Sequence, residues 1–134
     1  MKLVLASQSA GRRRLLQGAG IEHDVDTPDL DEEAAKARLV ARGVTASALA
    51  EALAEQKAVG VSARRPGELV LGCDQTLSLD DGTRFDKAGS LRELRQHLLS
   101  LSGHTHSLFS AMAIAEGGRT VWRHLSVSRL TMRT

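Results

Sequence analysis

Cysteine is nearly absent, with Cys73 alone among 134 residues. No internal disulfide can form, and a cysteine-built zinc site is excluded. A reducing, cytoplasmic setting is the simplest one. Aromatic residues are almost as scarce: two Phe, one Trp and no Tyr. The core must therefore be assembled from Leu, Val, Ile and Ala. A single-strand nucleic-acid platform, which stacks bases on rings, is disfavoured. No apolar run reaches membrane-spanning length, and the opening Leu3–Ala6 is too short for a signal peptide. The net charge of +2 is too small to name a polyanionic partner by itself. Lysine is rare as well. Lys2, Lys36, Lys57 and Lys87 are the only four among eighteen basic residues, so each is worth locating.

What remains is an ordinary globular composition, 42% hydrophobic and 25% charged. The length suits one domain, residues 1–134. The pattern predicts a buried strand over residues 2–6 and a helix over 12–19 with Leu15 and Leu16 facing inward. A short extended piece near 23–27 follows. Pro28 and the acids Asp29, Asp31, Glu32 and Glu33 then open a helical stretch. The clearest helix runs from Ala46 to Arg64, where Leu49, Leu53, Ala54, Lys57 and Ala58 recur at helical spacing and Pro66-Gly67 ends it. Leu69–Cys73 reads as a central strand. Residues 75–85 read as a hairpin about Asp80-Asp81-Gly82. A helix over 90–101 places Leu91, Leu94, Leu98 and Leu101 on one face. A final hairpin joins His106–Ala115 to Val121–Met132, with a change of phase between Val127 and Leu130 that suggests a bulge. Units of strand and helix mixed with hairpins predict an α/β domain, its mixed sheet flanked by helices.

Residues 3–16 carry the first chemical signal. A short strand empties through Ser7, Gln8 and Ser9 into an arginine-rich helix start. Free backbone N–H groups and the helix dipole favour an anion there, and Arg12 adds a forked, permanent charge. An ordinary surface turn has the same local pattern. Asp74 follows an apolar strand, a usual position for ligand-binding groups. Lys57 interrupts an otherwise apolar helix face, and Lys87 follows the hairpin. Acids for a divalent cation, with Lys and Arg for phosphate, make the parts of metal-assisted phosphate chemistry. Each residue alone is as readily a turn cap or a snorkelling lysine. His104 and His106 alternate along one strand, but no third metal ligand is evident, so they read as structural or substrate-contacting. Cys73 reads as a small buried residue rather than a nucleophile. Arg12-Arg13-Arg14 lacks the aromatics or broader basic stripe of a nucleic-acid surface.

Five segments together resemble the Maf proteins, nucleoside triphosphate pyrophosphatases once described as septum-formation inhibitors. They are Leu5-Ala6-Ser7-Gln8-Ser9 with Arg12 and Leu15-Leu16; Pro28-Asp29-Leu30-Asp31-Glu32; Leu53-Ala54-Glu55-Gln56-Lys57-Ala58; Gly72-Cys73-Asp74-Gln75 with Lys87; and Leu101-Ser102-Gly103-His104-Thr105-His106-Ser107. They occur in the family's order and span nearly the whole chain. The resemblance implies a Maf/inosine triphosphatase-like fold. It also implies hydrolysis of a nucleoside triphosphate between its α- and β-phosphates, with a divalent cation, Mg2+ or Mn2+. Asp74 matches the catalytic carboxylate that prepares the attacking water. Glu32 and Asp74 match the metal-associated acids. Ser7, Ser9 and Arg12 match the phosphate-binding turn, and Lys57 and Lys87 the lysines that stabilise phosphate charge. A cytoplasmic homodimer is implied too.

The chain departs from the family pattern in three places. Many members carry two arginines after Ser-Pro and an Asp-Thr pair; here the residues are Ala10-Gly11-Arg12 and Asp74-Gln75. These changes resemble the subgroup acting on 7-methyl-GTP rather than dTTP and UTP, with Gln75 able to meet a base edge as donor and acceptor. The third is length: the family continues beyond Thr134, so the expected fold is truncated at its C-terminus. A noncatalytic nucleotide-binding or division-regulating protein is the alternative reading.

Overall fold

A computed structural model describes residues 2–134. Six strands and four helices follow in the order β1 (Leu3–Ala6), α1 (Ala10–Gly18), β2 (His23–Val25), α2 (Glu32–Ala41), α3 (Ala46–Ser62), β3 (Leu69–Leu79), β4 (Arg84–Phe85), α4 (Leu91–Leu101), β5 (Thr105–Glu116) and β6 (Arg119–Thr131). The sheet is mixed and ordered β2-β1-β3-β5-β6, with the short β4 also on β3. β1 runs parallel to β2 and β3, whereas β4 and β5 run antiparallel to β3 and β6 antiparallel to β5. The expected α/β class is therefore the observed one.

Each helix starts on a polar side chain that accepts a hydrogen bond from the third helical residue. Ser9 caps Arg12, Asp31 caps Ala34, Thr45 caps Ala48 and Ser90 caps Glu93. α3 is the central helix and buries three faces. Leu49 and Leu53 meet Ala35 and Leu39 of α2. Ala50, Ala54 and Ala58 lie on Ala111, Ala113 and Ala115 of β5. Val61 packs with Val4, Ala6 and Val70 of β1 and β3. Alanine on both sides lets helix and sheet approach closely. Gly72 marks the tightest point: a Cβ there would stand 2.3 Å from the Ala54 carbonyl oxygen and 2.8 Å from the Ala58 nitrogen.

Several expectations fail at the surface. Leu15 is 74% exposed rather than inward, and Leu16 is only half-buried. On α4 only Leu101 is buried, while Leu91, Leu94 and Leu98 are exposed. Leucines at helical spacing show which face is apolar, but they do not supply a surface to cover it. The bulge falls elsewhere too. β5 and β6 stay in register from Trp122 to Thr131, and the shift comes at Ile114/Ala115, where Val121 is the extra residue beside the Gly117-Gly118 turn. His104 precedes β5, so the two histidines do not share a strand face; His104 is exposed and His106 buried.

The backbone contact at Gly72 gives a direct test. Gly72→Ala is expected to destabilise the fold by at least about 1–3 kcal/mol, the usual cost of overpacking, because helix backbone cannot yield as a side chain can. Urea unfolding monitored by circular dichroism measures this.

Candidate functional site

One edge of β3 is incompletely paired. β1 pairs with Leu69–Gly72 and then turns away at Ala6. β4 pairs only with Leu77 and Ser78. Between them Cys73–Thr76 face a gap, and a cavity of about 830 Å3 opens there. Asp74 thus lies in the middle of an eleven-residue strand, not at its end as expected. What ends beside it is the neighbouring strand. The β1–α1 turn enters on one side of the gap, and the start of α2 and the residues around β4 close the others.

The turn is held by its own serines. The buried Ser7 hydroxyl accepts from the Ser9 backbone N–H at 3.0 Å and from Arg12 Nη1 at 3.4 Å. The Ser9 hydroxyl accepts from the Arg12 backbone N–H at 3.3 Å and so caps α1. Arg12 is folded back over a helix N-terminus that faces the cavity, an arrangement that attracts anions.

The opposite wall is built on Lys57. Its Nζ donates to Asp74 Oδ1 at 3.1 Å and to the Cys73 carbonyl at 3.3 Å. It also forms an ion pair with Glu32 Oε1 at 3.1 Å. Two of the three ammonium hydrogens thus have protein acceptors, and Glu32 balances the charge without a hydrogen bond. The Lys57 and Asp74 side chains are 8% and 11% exposed, whereas Glu32 is 44% exposed. Burial pushes the Asp74 carboxyl above its ordinary range, and Lys57 opposes that rise. A carboxylate moved toward neutrality is better matched to taking a proton. Burial likewise raises the Cys73 thiol, which disfavours the thiolate a nucleophile needs.

Every residue expected at the site from the sequence lines this one cavity: Ser7, Ser9 and Arg12 from the turn, with Glu32, Lys57, Asp74, Gln75 and Lys87. Gln75 donates to the Ser110 hydroxyl at 2.9 Å. Sequence reasoning missed Lys36, Arg84 and Asp86, which also line it. One signal for Lys36 was available: it lies four residues after Glu32 on the same helix, hence on the same face. The sequence also hid the tie that holds the loop before α2. Arg64 donates to Asp26 Oδ1 at 2.8 Å and to the Thr27 carbonyl, fastening that loop to the end of α3.

Glu32 Oε1 and Asp74 Oδ1 both lie 3.1 Å from one ammonium, so they are no more than twice that distance apart. Among the described residues, no group of three or more His, Cys, Asp or Glu side chains is arranged to hold a metal ion. Two carboxylates suit the coordination of Mg2+, which keeps waters and phosphate oxygens as its other ligands. No helix among the described residues is long and apolar enough to cross a membrane.

Fold and cavity define an α/β protein with a cation-lined cleft where a parallel strand ends, the usual ligand position in such sheets. The architecture is shared with a HAM1 protein from Coxiella burnetii, at a TM-score of 0.62 and 16% identity, covering 96% of this chain and 70% of that one. The chain belongs to the Maf-like protein family, whose model matches residues 2–134. It is 47% identical over 133 residues to a 7-methyl-GTP pyrophosphatase of Brucella abortus, covering 99% of this chain and 66% of that protein. It is 50% identical over 131 residues to a nucleoside triphosphate pyrophosphatase of Caulobacter vibrioides, covering 98% of this chain and 65% of that protein. The chain thus spans slightly less than two thirds of these relatives' length.

Lys57→Met leaves two carboxylates facing each other, one of them buried. A stability loss of about 3–5 kcal/mol is expected near neutral pH, as for other broken buried pairs. Without Lys57 the Asp74 pKa rises further, so the folded state favours the protonated acid. That contribution is full below the unfolded Asp value and is lost as pH rises through the folded one. The deficit should therefore grow as pH rises above the ordinary Asp value of about 4, which urea titrations across a pH series measure.

Proposed function

We propose that the chain hydrolyses a nucleoside triphosphate between its α- and β-phosphates, yielding the monophosphate and pyrophosphate. The observation that carries this reading is the single cavity that joins the serine–arginine turn to the Lys57–Asp74–Glu32 centre. Phosphoryl chemistry on a polyanion depends mainly on positioning and positive charge. The turn and Arg12 bind phosphate oxygens, and Lys87, exposed at the rim, adds charge where the chain of phosphates enters. Asp74 takes the proton of the water that cleaves the bridge. Lys57 orients that carboxylate and neutralises charge building on the phosphate. Glu32 and Asp74 would hold a divalent cation, Mg2+ or Mn2+, which supplies Lewis acidity toward phosphate oxygen when bound.

The substrate proposed is 7-methyl-GTP. Support comes from Gly11 and Gln75, which stand where many family members carry Arg and Thr, and from the relative named for that nucleotide. Gln75 lines the cavity, and beside its bond to Ser110 its amide keeps one N–H and its carbonyl, a donor and an acceptor for a base edge. The reading carries with it the cytoplasmic homodimer expected from the sequence.

Pyrophosphate release with Mg2+ or Mn2+ from 7-methyl-GTP, GTP, dTTP and UTP tests both levels. Highest kcat/KM on 7-methyl-GTP is expected, and preference for dTTP or UTP sinks the substrate assignment. Asp74→Asn should lower kcat by about 10²–10⁴-fold, as loss of a general base does. Nucleotide binding without release from the wild type favours a noncatalytic binding protein instead.

A further inference from the structure

Three of the chain's four lysines line the cavity, and one of these has no part in the chemistry above. Lys36 Nζ lies 3.1 Å from Asp86 Oδ1, reaching across from α2. Arg84 Nη1, on β4, meets the same Oδ1 atom. Two cations from opposite walls therefore converge on a single anionic oxygen inside a cleft built for anions. Both are sheltered, Lys36 at 22% and Arg84 at 21% exposure, whereas the carboxylate between them is 54% exposed. The anion is thus the outermost and most easily hydrated member of the cluster. A phosphoryl oxygen carries the same charge and accepts the same bonds. Moving Asp86 aside would return an already half-exposed carboxylate to water and leave two preorganised donors.

Other features make this more than a surface ion pair. Asp86 sits directly before Lys87, so a shift of its side chain needs no displacement of a secondary-structure element. Burial alone would raise the Asp86 carboxyl, but Lys36 and then Arg84 outweigh it and hold it below the ordinary range, so it is fully charged where the protein works. The inner centre is already partly committed, because Lys57 donates to Cys73 and Asp74 and is ion-paired with Glu32. A substrate with three phosphates presents oxygens enough for further cationic donors beyond the turn, Arg12 and Lys87.

We propose that Lys36 and Arg84 form a second phosphate station, which holds the β- and γ-phosphates of the substrate and the pyrophosphate they become, with Asp86 as a resident anion that they exchange for phosphate. This inference rests on the pyrophosphatase reading and names two further binding residues within it.

Binding of inorganic pyrophosphate to the full chain, followed by calorimetry, tests the station without any turnover. Lys36→Ala and Arg84→Ala should each weaken pyrophosphate binding about 10-fold or more, the usual effect of losing a charged hydrogen bond. GMP binding should change less than about 2-fold, because the inner turn is untouched. Lys36→Arg and Arg84→Lys should recover part of the loss. Asp86→Asn should bind pyrophosphate more tightly than wild type, since the resident charge is gone. If these residues only latch α2 to β4, Asp86→Asn weakens binding in parallel with the two alanine variants, and that result overturns the proposal. Wild-type levels of pyrophosphate binding in the alanine variants, with unchanged unfolding curves, overturn it equally. Triphosphate hydrolysis indifferent to both substitutions removes the station and leaves the reaction standing. Pyrophosphate bound through Lys36 and Arg84 by a chain that releases none from any triphosphate keeps the station and removes the reaction.

Discussion

The ammonium of Lys57 is the point on which the rest of the site turns. Its stem emerges from α3 among alanines; it donates to one carbonyl and one carboxylate on β3 and forms an ion pair with a second carboxylate at the first residue of α2. Three successive elements, α2, α3 and β3, are thus tied at one charged atom. A buried pair of this kind adds little net stability over an apolar replacement, because desolvation offsets the attraction. What it adds is geometry. Two carboxylates are brought to one place, one buried and one half-exposed, and their different surroundings separate their chemical roles. The alanine stripe and Gly72 make this possible by letting α3 lie close enough for a lysine to reach β3.

Much of this was legible in the residues. Lys57 stood out because a charge at an apolar helical position between Ala54 and Ala58 demands a partner. The Ser7–Arg12 turn declared itself by the change from strand to capped helix. Asp74 was found for a partly mistaken reason. The sequence pattern places it just past a strand ending at Cys73 and before a separate hairpin over 75–85, yet 69–79 is one continuous strand, and Asp74, Thr76 and Ser78 are its buried members on the face that α3 covers. The gap beside Asp74 depends on where β1 stops relative to β3. Register between strands is a tertiary property, and no single segment encodes it.

Surface leucines and rim charges were harder to read for related reasons. Leu15, Leu91, Leu94 and Leu98 have the spacing of a buried face but meet no partner surface within the described residues. Lys36 lies some fifty positions from Arg84 and Asp86 and becomes their neighbour only when the β3–β4 hairpin folds against α2. Charged clusters assembled across a fold leave almost no local trace, whereas a lysine inside an apolar helix leaves a plain one.

The parallel pairing of β1 with β3 joins Leu3 to Leu69 and Ala6 to Gly72. Closing so long a loop is entropically costly compared with forming the β5–β6 hairpin around two glycines. Any partly folded chain that keeps α3 on β3 but has not docked β1 retains Lys57 beside Asp74 and lacks Ser7, Ser9 and Arg12 altogether. The Lys57–Asp74 pair is intact and the serine–arginine turn is missing. On the function proposed above, a nucleotide that needs both parts would favour the docked chain over the partly folded one, and so act as a clasp drawing β1 onto the sheet.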